Sequence, residues 1–98
     1  MTFQEIINQD RPTLVDVFAT WCGPCKTMHP IIEEVKTAIG QQANVIKIDI
    51  DQAESFAATY RIQAVPTLMI FKAGKLLWSE PGVHTAQQLI QQIKQHID

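Results

Sequence analysis

The only two cysteines of this 98-residue chain stand three positions apart, in the stretch Trp21-Cys22-Gly23-Pro24-Cys25-Lys26. A strongly apolar run leads into that stretch and a helical pattern leads out of it, so the pair marks the handover from a strand to a helix. A cysteine at the first turn of a helix faces unpaired backbone N–H groups and the positive end of the helix dipole, which favour its thiolate. Cys22 is therefore the candidate nucleophile. Gly23 permits a tight turn, and Pro24 holds a helical φ while giving up only an N–H that the first turn leaves unpaired. Cys25, one turn on, lies within disulfide reach of Cys22.

The rest of the chain arranges itself around this junction. Thr2-x-x-Glu5 resembles a capping box, and Phe3, Ile6 and Ile7 share one face, which predicts a short helix over about 3–9 closed by Arg11-Pro12. Thr13 to Ala19 is a nearly continuous apolar run broken only by Asp16, the pattern of a strand buried on both faces. From about Pro24, residues Met28, Ile31, Ile32, Val35, Ala38 and Ile39 recur at helical spacing, with Pro30 inside the helix as a source of a kink and Gly40 as its stop. Val45 to Ile50 alternates as a second strand, and Asp51-x-x-Glu54 predicts a cap for a short helix that buries Phe56 and Tyr60. Thr67 to Phe71 reads as a third strand, Ala73-Gly74 as a turn, and Lys75 to Glu80 as an antiparallel edge strand broken by Pro81-Gly82. Thr85-x-x-Gln88 opens a closing helix lined by Leu89, Ile90, Ile93 and Ile97. The order αβαβαββα implies an α/β fold, with a mixed sheet covered by helices on both faces.

Composition limits the functions open to such a chain. One domain spanning residues 1–98 is expected, since an apolar fraction of 46% with 18% charge is ordinary for a globular core. A net charge of −2, with the eight Lys and Arg residues scattered, supplies no basic stripe for nucleic acid. Neither a basic-then-apolar leader nor a run of about 20 apolar residues is present, which reads as a cytoplasmic protein without membrane contact. In a reducing cytosol a lone Cys-x-x-Cys is catalytic or metal-binding rather than a staple. Zinc would need about four ligands, and the other soft donors, His29, His84 and His96, are dispersed over the expected elements. Zinc and a pair of inert thiols remain the alternatives to dithiol chemistry. Asp16, if buried without a partner, would have a raised pKa; it could instead face solvent at an edge or pair with Lys47.

Thr20 to Lys26 (TWCGPCK), the preceding Val15 to Ala19 (VDVFA) and the later Ala64 to Thr67 (AVPT) match the thioredoxin family in order and spacing, and the resemblance covers nearly the whole chain. It implies the thioredoxin fold and a protein-disulfide reductase in which Cys22 attacks and Cys25 resolves, with no cofactor beyond the redox-active Cys22–Cys25 disulfide and no bound metal. It further implies that Asp16 accepts the Cys25 proton through water, with Lys47 beside it on the neighbouring strand. Pro66 would be cis and lie against the dithiol, Val65 would pair with an extended client peptide, and Trp21, Gly23, Pro24, Gly82 and Val83 would complete the substrate surface. The implied partners are a thioredoxin reductase drawing on NADPH and client proteins with disulfides, and the chain would act as a monomer. Gly-Pro between the cysteines resembles the reducing members, whereas oxidising members place a histidine there. Members usually begin with a further strand. Here Thr2-x-x-Glu5 already caps a helix, so four strands are expected, with Val45 to Ile50 at a bare edge.

Overall fold

The computed structural model describes residues 1–97. Its centre is a four-stranded sheet in the order β2-β1-β3-β4, built from β1 (Thr13–Phe18), β2 (Asn44–Asp49), β3 (Thr67–Lys72) and β4 (Lys75–Pro81). β1 runs parallel to β2 and antiparallel to β3, and β4 returns antiparallel to β3. This is the mixed sheet expected, with Thr13 to Phe18 at its centre and β2 at an edge. Helices α1 (Phe3–Ile7), α2 (Gly23–Ile39), α3 (Glu54–Thr59) and α4 (Ala86–Lys94) cover it.

Period-two alternation along β1 and β3 divides the core into two layers. Leu14, Leu68 and Ile70 meet Met28, Ile32 and Val35 of α2 and Leu89 and Ile93 of α4 on one face. Val15, Val17, Met69 and Phe71 meet Ile7 of α1, with Phe56 and Tyr60 against them, on the other. Burying each such side chain contributes about 1.5–3 kcal/mol, so the two-sided burial of β1 and β3 is the main support of the fold. The long helix α2 runs through Pro30 and ends at Gly40, whose φ of +59° is the left-handed value that suits glycine at a C-cap.

Both outer helices begin where their local sequence says. Thr2 accepts the Glu5 N–H while the Glu5 carboxylate accepts the Thr2 N–H, and Thr85 and Gln88 repeat the box at α4. Five residues are too few for an isolated helix, so α1 depends on Phe3, which packs edge-on against Phe56 and Phe71 at 5.1 and 5.5 Å between ring centres. It is shorter than the expected 3–9. The box expected at Asp51-x-x-Glu54 does not form: Ile50–Gln52 is a single 3₁₀ turn capped by Asp49, and α3 starts behind Ala53 with no side-chain cap. Ile97 packs against the core, though from beyond the end of α4.

No strand forms at Met1 to Glu5, because Phe3 onward is helical, and the outer edge of β2 is unpaired among the described residues. The Asn44 N–H donates to Pro12 O at 2.9 Å, toward β1, so by alternation the backbone groups of Val45 and Lys47 point away from the sheet. Hydrogen exchange should find the Val45 and Lys47 amides orders of magnitude faster than those of Val15 and Val17, which lie between two strands. Equal protection would mean that something covers this edge.

Candidate active site

β1 ends at Phe18, and Ala19 to Trp21 carry the chain over the sheet's rim into α2. Cys22 is the N-cap residue of that helix, in extended conformation, and its Sγ accepts the Cys25 N–H at 3.1 Å. Gly23 and Pro24 therefore form the first two helical positions, one residue earlier than the sequence pattern placed them. The two sulfurs are joined as a Cys22–Cys25 disulfide with the Cα atoms 5.3 Å apart. Cys25 is fully enclosed, and Cys22 retains a small exposed area of 4%. Only Cys22 can therefore meet an external sulfur without the helix moving.

The Val65–Pro66 peptide bond is cis, and the Val65 carbonyl oxygen lies 3.6 Å from Cys22 Sγ. Among the described residues nothing accepts a hydrogen bond from the Val65 N–H, leaving it available to an extended chain. The Pro66 carbonyl is taken by the Gly82 N–H at 2.8 Å. Gly82 has a φ of +93°, and a Cβ there would meet nothing within 4 Å, so its requirement for glycine is one of backbone conformation rather than space. Val83 beside it is half-exposed, as is Trp21 on the other flank, at 49% and 69%.

Trp21 is held in that exposed position by its indole N–H, which donates to Asp51 Oδ2 at 2.8 Å. Asp51 thus serves the site rather than a helix cap. The two side chains line a cleft of about 250 Å³ together with Ile50, Ile62, Gln63, Ala64 and Val65. Neither the Asp51 contact nor this cleft carries a sequence signal, because both join segments some 30 or more residues apart.

Asp16 is fully buried, and neither carboxylate oxygen has a hydrogen-bond partner among the described residues. Burial pushes its pKa from 3.8 up to about 6, against the pull of the nearby His29 and Lys47. Neither solvent contact nor a direct Lys47 pair holds it. Lys47 is in register with Asp16 on β2, but its Nζ turns to His29 Nδ1 at 3.1 Å. His29, in the sequence one of three dispersed soft donors, joins Lys47 here. Among the described residues no three His, Cys, Asp or Glu side chains converge in a metal-ligating group, and no helix is long and apolar enough to cross a membrane.

A buried disulfide capping a helix, facing a cis proline across the end of a mixed sheet, defines a thiol–disulfide oxidoreductase of the thioredoxin fold. The thioredoxin family model matches residues 1–95, and the chain belongs to the thioredoxin family. A thioredoxin-like protein of Synechocystis sp. is 49% identical over 93 residues, covering 94% of this chain and 89% of that protein. Chloroplastic thioredoxin Y of Oryza sativa is 44% identical over 98 residues, covering 99% of this chain but 58% of its own length. Among solved structures, the thioredoxin of Malassezia sympodialis superposes with a TM-score of 0.87 at 32% identity, over 98% of this chain and 84% of that one. A mutant thioredoxin of Halobacterium salinarum gives 0.86 at 29% identity, over 97% and 82%.

Proposed function

We propose that this chain is a general reductase of protein disulfides. The observation that carries the reading is the position of the Cys22 sulfur: it caps α2, accepts the Cys25 N–H, and alone of the pair reaches the surface. In the reduced chain the Cys22 thiolate attacks a client disulfide, forms a mixed disulfide and releases one client thiolate. Cys25 then gives its proton to Asp16 through water and attacks Cys22, re-forming the intramolecular disulfide as the second client thiolate leaves. Lys47 favours the ionised form of Asp16. The client segment lies extended across Val65 and Pro66, flanked by Trp21, Gly23 and Pro24 on one side and Gly82 and Val83 on the other.

The oxidised chain is re-reduced by a thioredoxin reductase drawing on NADPH, and the protein works as a monomeric single domain over 1–98 without a bound cofactor or metal. Gly23-Pro24 between the cysteines favours reduction of clients over their oxidation. The working compartment is a reducing one, here the cytoplasm; the Oryza sativa relative named above is chloroplastic by name. The test is reduction of the interchain disulfides of insulin, with NADPH and a thioredoxin reductase as the electron source. Steady NADPH consumption is expected, and a double Cys22→Ser, Cys25→Ser variant should show none. If dithiothreitol in place of the reductase also fails to drive the reaction, the reductase reading falls; if dithiothreitol alone succeeds, only the partner assignment falls.

A further inference from the structure

A short turn, Gly82, Val83 and His84, joins the end of β4 to Thr85, the N-cap of α4. Side-chain packing does little to hold it, since Gly82 has no side chain and Val83 is half-exposed. Glycine is also the residue with the most backbone freedom to lose. Two hydrogen bonds fix Gly82 instead: its N–H donates to Pro66 O at 2.8 Å, and its carbonyl oxygen lies 3.0 Å from His84 Nδ1. A carbonyl can only accept, so Nδ1 is the donor, and it carries a hydrogen in this tautomer of the neutral ring and in the imidazolium alike. The contact therefore does not depend on the charge of the ring. The half-buried ring is held in turn, edge-on to Trp78 with centres 5.5 Å apart, and Trp78 packs against the core. Contacts thus run without a break from the core through Trp78, His84 and Gly82 to Pro66. The Val83 N–H and carbonyl have no partner among the described residues.

We propose that His84 is a positioning residue for client binding: its Nδ1–H holds the Gly82–Val83 turn in the one shape that, together with Val65, receives the extended client segment. The inference rests on the disulfide-reductase reading above and adds to it the element that keeps one wall of the client surface in place. Without the Nδ1–H bond only the Pro66 contact restrains Gly82, and the turn samples other shapes. A client must then order the turn as it binds, which weakens binding. The exchange of sulfurs is untouched, because Cys22 and Cys25 stand on α2 and Asp16 on β1. His84 neither touches a reacting atom nor changes charge in this role. A half-buried hydrogen bond lies at the lower end of what such bonds contribute, so its loss weakens client binding by about threefold.

The test compares two reagents that release the same coloured aromatic thiolate when Cys22 attacks them. One is an unstructured peptide whose single central cysteine carries the aromatic thiol as a mixed disulfide; the other is the small symmetrical aromatic disulfide, which has no chain to lay across the turn. Each is given in excess to the reduced full chain, and the release rate is followed against concentration. His84→Ala should raise the half-saturating peptide concentration about threefold while leaving the limiting rate, and the rate with the small disulfide, as in the unmodified chain. His84→Asn, whose side-chain amide sets an N–H near the place of Nδ1, should restore the peptide affinity. His84→Phe keeps a ring for Trp78 but has no donor, and should behave as His84→Ala. Rescue by Phe and not by Asn would overturn the proposal by assigning the effect to ring packing, and a parallel loss with the small disulfide would overturn it by showing general damage to the fold. If the unmodified chain reacts with both reagents and all four proteins coincide, this inference alone falls. If the unmodified chain reacts with neither, the reductase reading falls and this inference with it.

Discussion

Replacing Cys25 by serine is expected to stop turnover while leaving the first attack in place, so that the protein accumulates covalently bound to its clients. Cys22 keeps its N-cap position and its exposed area, whereas the sulfur that would displace the client is gone. Nonreducing electrophoresis of the variant with a disulfide-containing client should show the adduct, and mass spectrometry should place the linkage at Cys22. Turnover should fall by on the order of a thousandfold or more, because the two thiols act as one unit and neither substitutes for the other. Cys22→Ser should lose activity to the same extent without trapping anything, because Cys25 is fully enclosed. Adducts that form through Cys25 in the Cys22→Ser variant would reverse the assignment of attacking and resolving thiol.

The second large effect is on stability. Asp16→Asn should leave the protein no more stable in acid and considerably more stable above neutrality. Burial raises the folded-state pKa of Asp16 from 3.8 to about 6, so the folded chain binds this proton more tightly than the unfolded chain. Below the unfolded value both states are protonated and Asp16 costs nothing. As the pH rises from about 4 through about 6 the unfolded state ionises first, and stability drains away until both states are ionised. The shift from 3.8 to about 6 corresponds to about 3 kcal/mol. Urea denaturation of the two proteins at pH 3.5, 5 and 8 should therefore give curves that coincide, separate and reach their full separation, in that order. A constant advantage at all three would place the cause in the amide's packing rather than in the carboxyl's charge. The same variant should resolve mixed disulfides slowly, which sets stability against rate at one residue.

What could be read from the sequence was what neighbouring residues decide among themselves. The boxes Thr2/Glu5 and Thr85/Gln88 close within one turn, and both helices start there. Asp16 stood out because a lone carboxylate interrupts an apolar run whose other members all prove buried or nearly so. The same capping pattern failed at Asp51 because a distant group won: Trp21, thirty residues earlier, offers its indole N–H, and the backbone turns instead on Asp49. His29 was legible as a possible ligand but not as a neighbour of Asp16. That neighbourhood depends on the rotation of α2 over the sheet and on the register of β2 against β1, which no short stretch encodes. The cleft beside Trp21 was invisible for a similar reason. Its wall follows Arg61, a non-glycine residue at φ +53° that nothing in its neighbours requires.

The turn between β3 and β4 has a bearing on the order in which the chain becomes a protein. Ala73 and Gly74 donate their N–H groups to the carbonyls of Gln9 and Ile7 at 3.0 and 2.9 Å, and a Cβ on Gly74 would come within 2.6 Å of the Asn8 side chain. The end of α1 is thus fastened to a hairpin that a ribosome reaches more than sixty residues later. β1 is in the same position, since one of its two sheet neighbours is β3. A five-residue helix and a single apolar strand have no stable structure of their own, and translation adds about 5–20 residues each second. For several seconds, then, the emerging chain carries its most apolar segment, Thr13 to Ala19, with no sheet to receive it. It also carries both cysteines, so during that interval the two thiols meet the cell's small thiols and disulfides as ordinary unfolded-chain cysteines, before α2 and the hairpin give them their distinct roles.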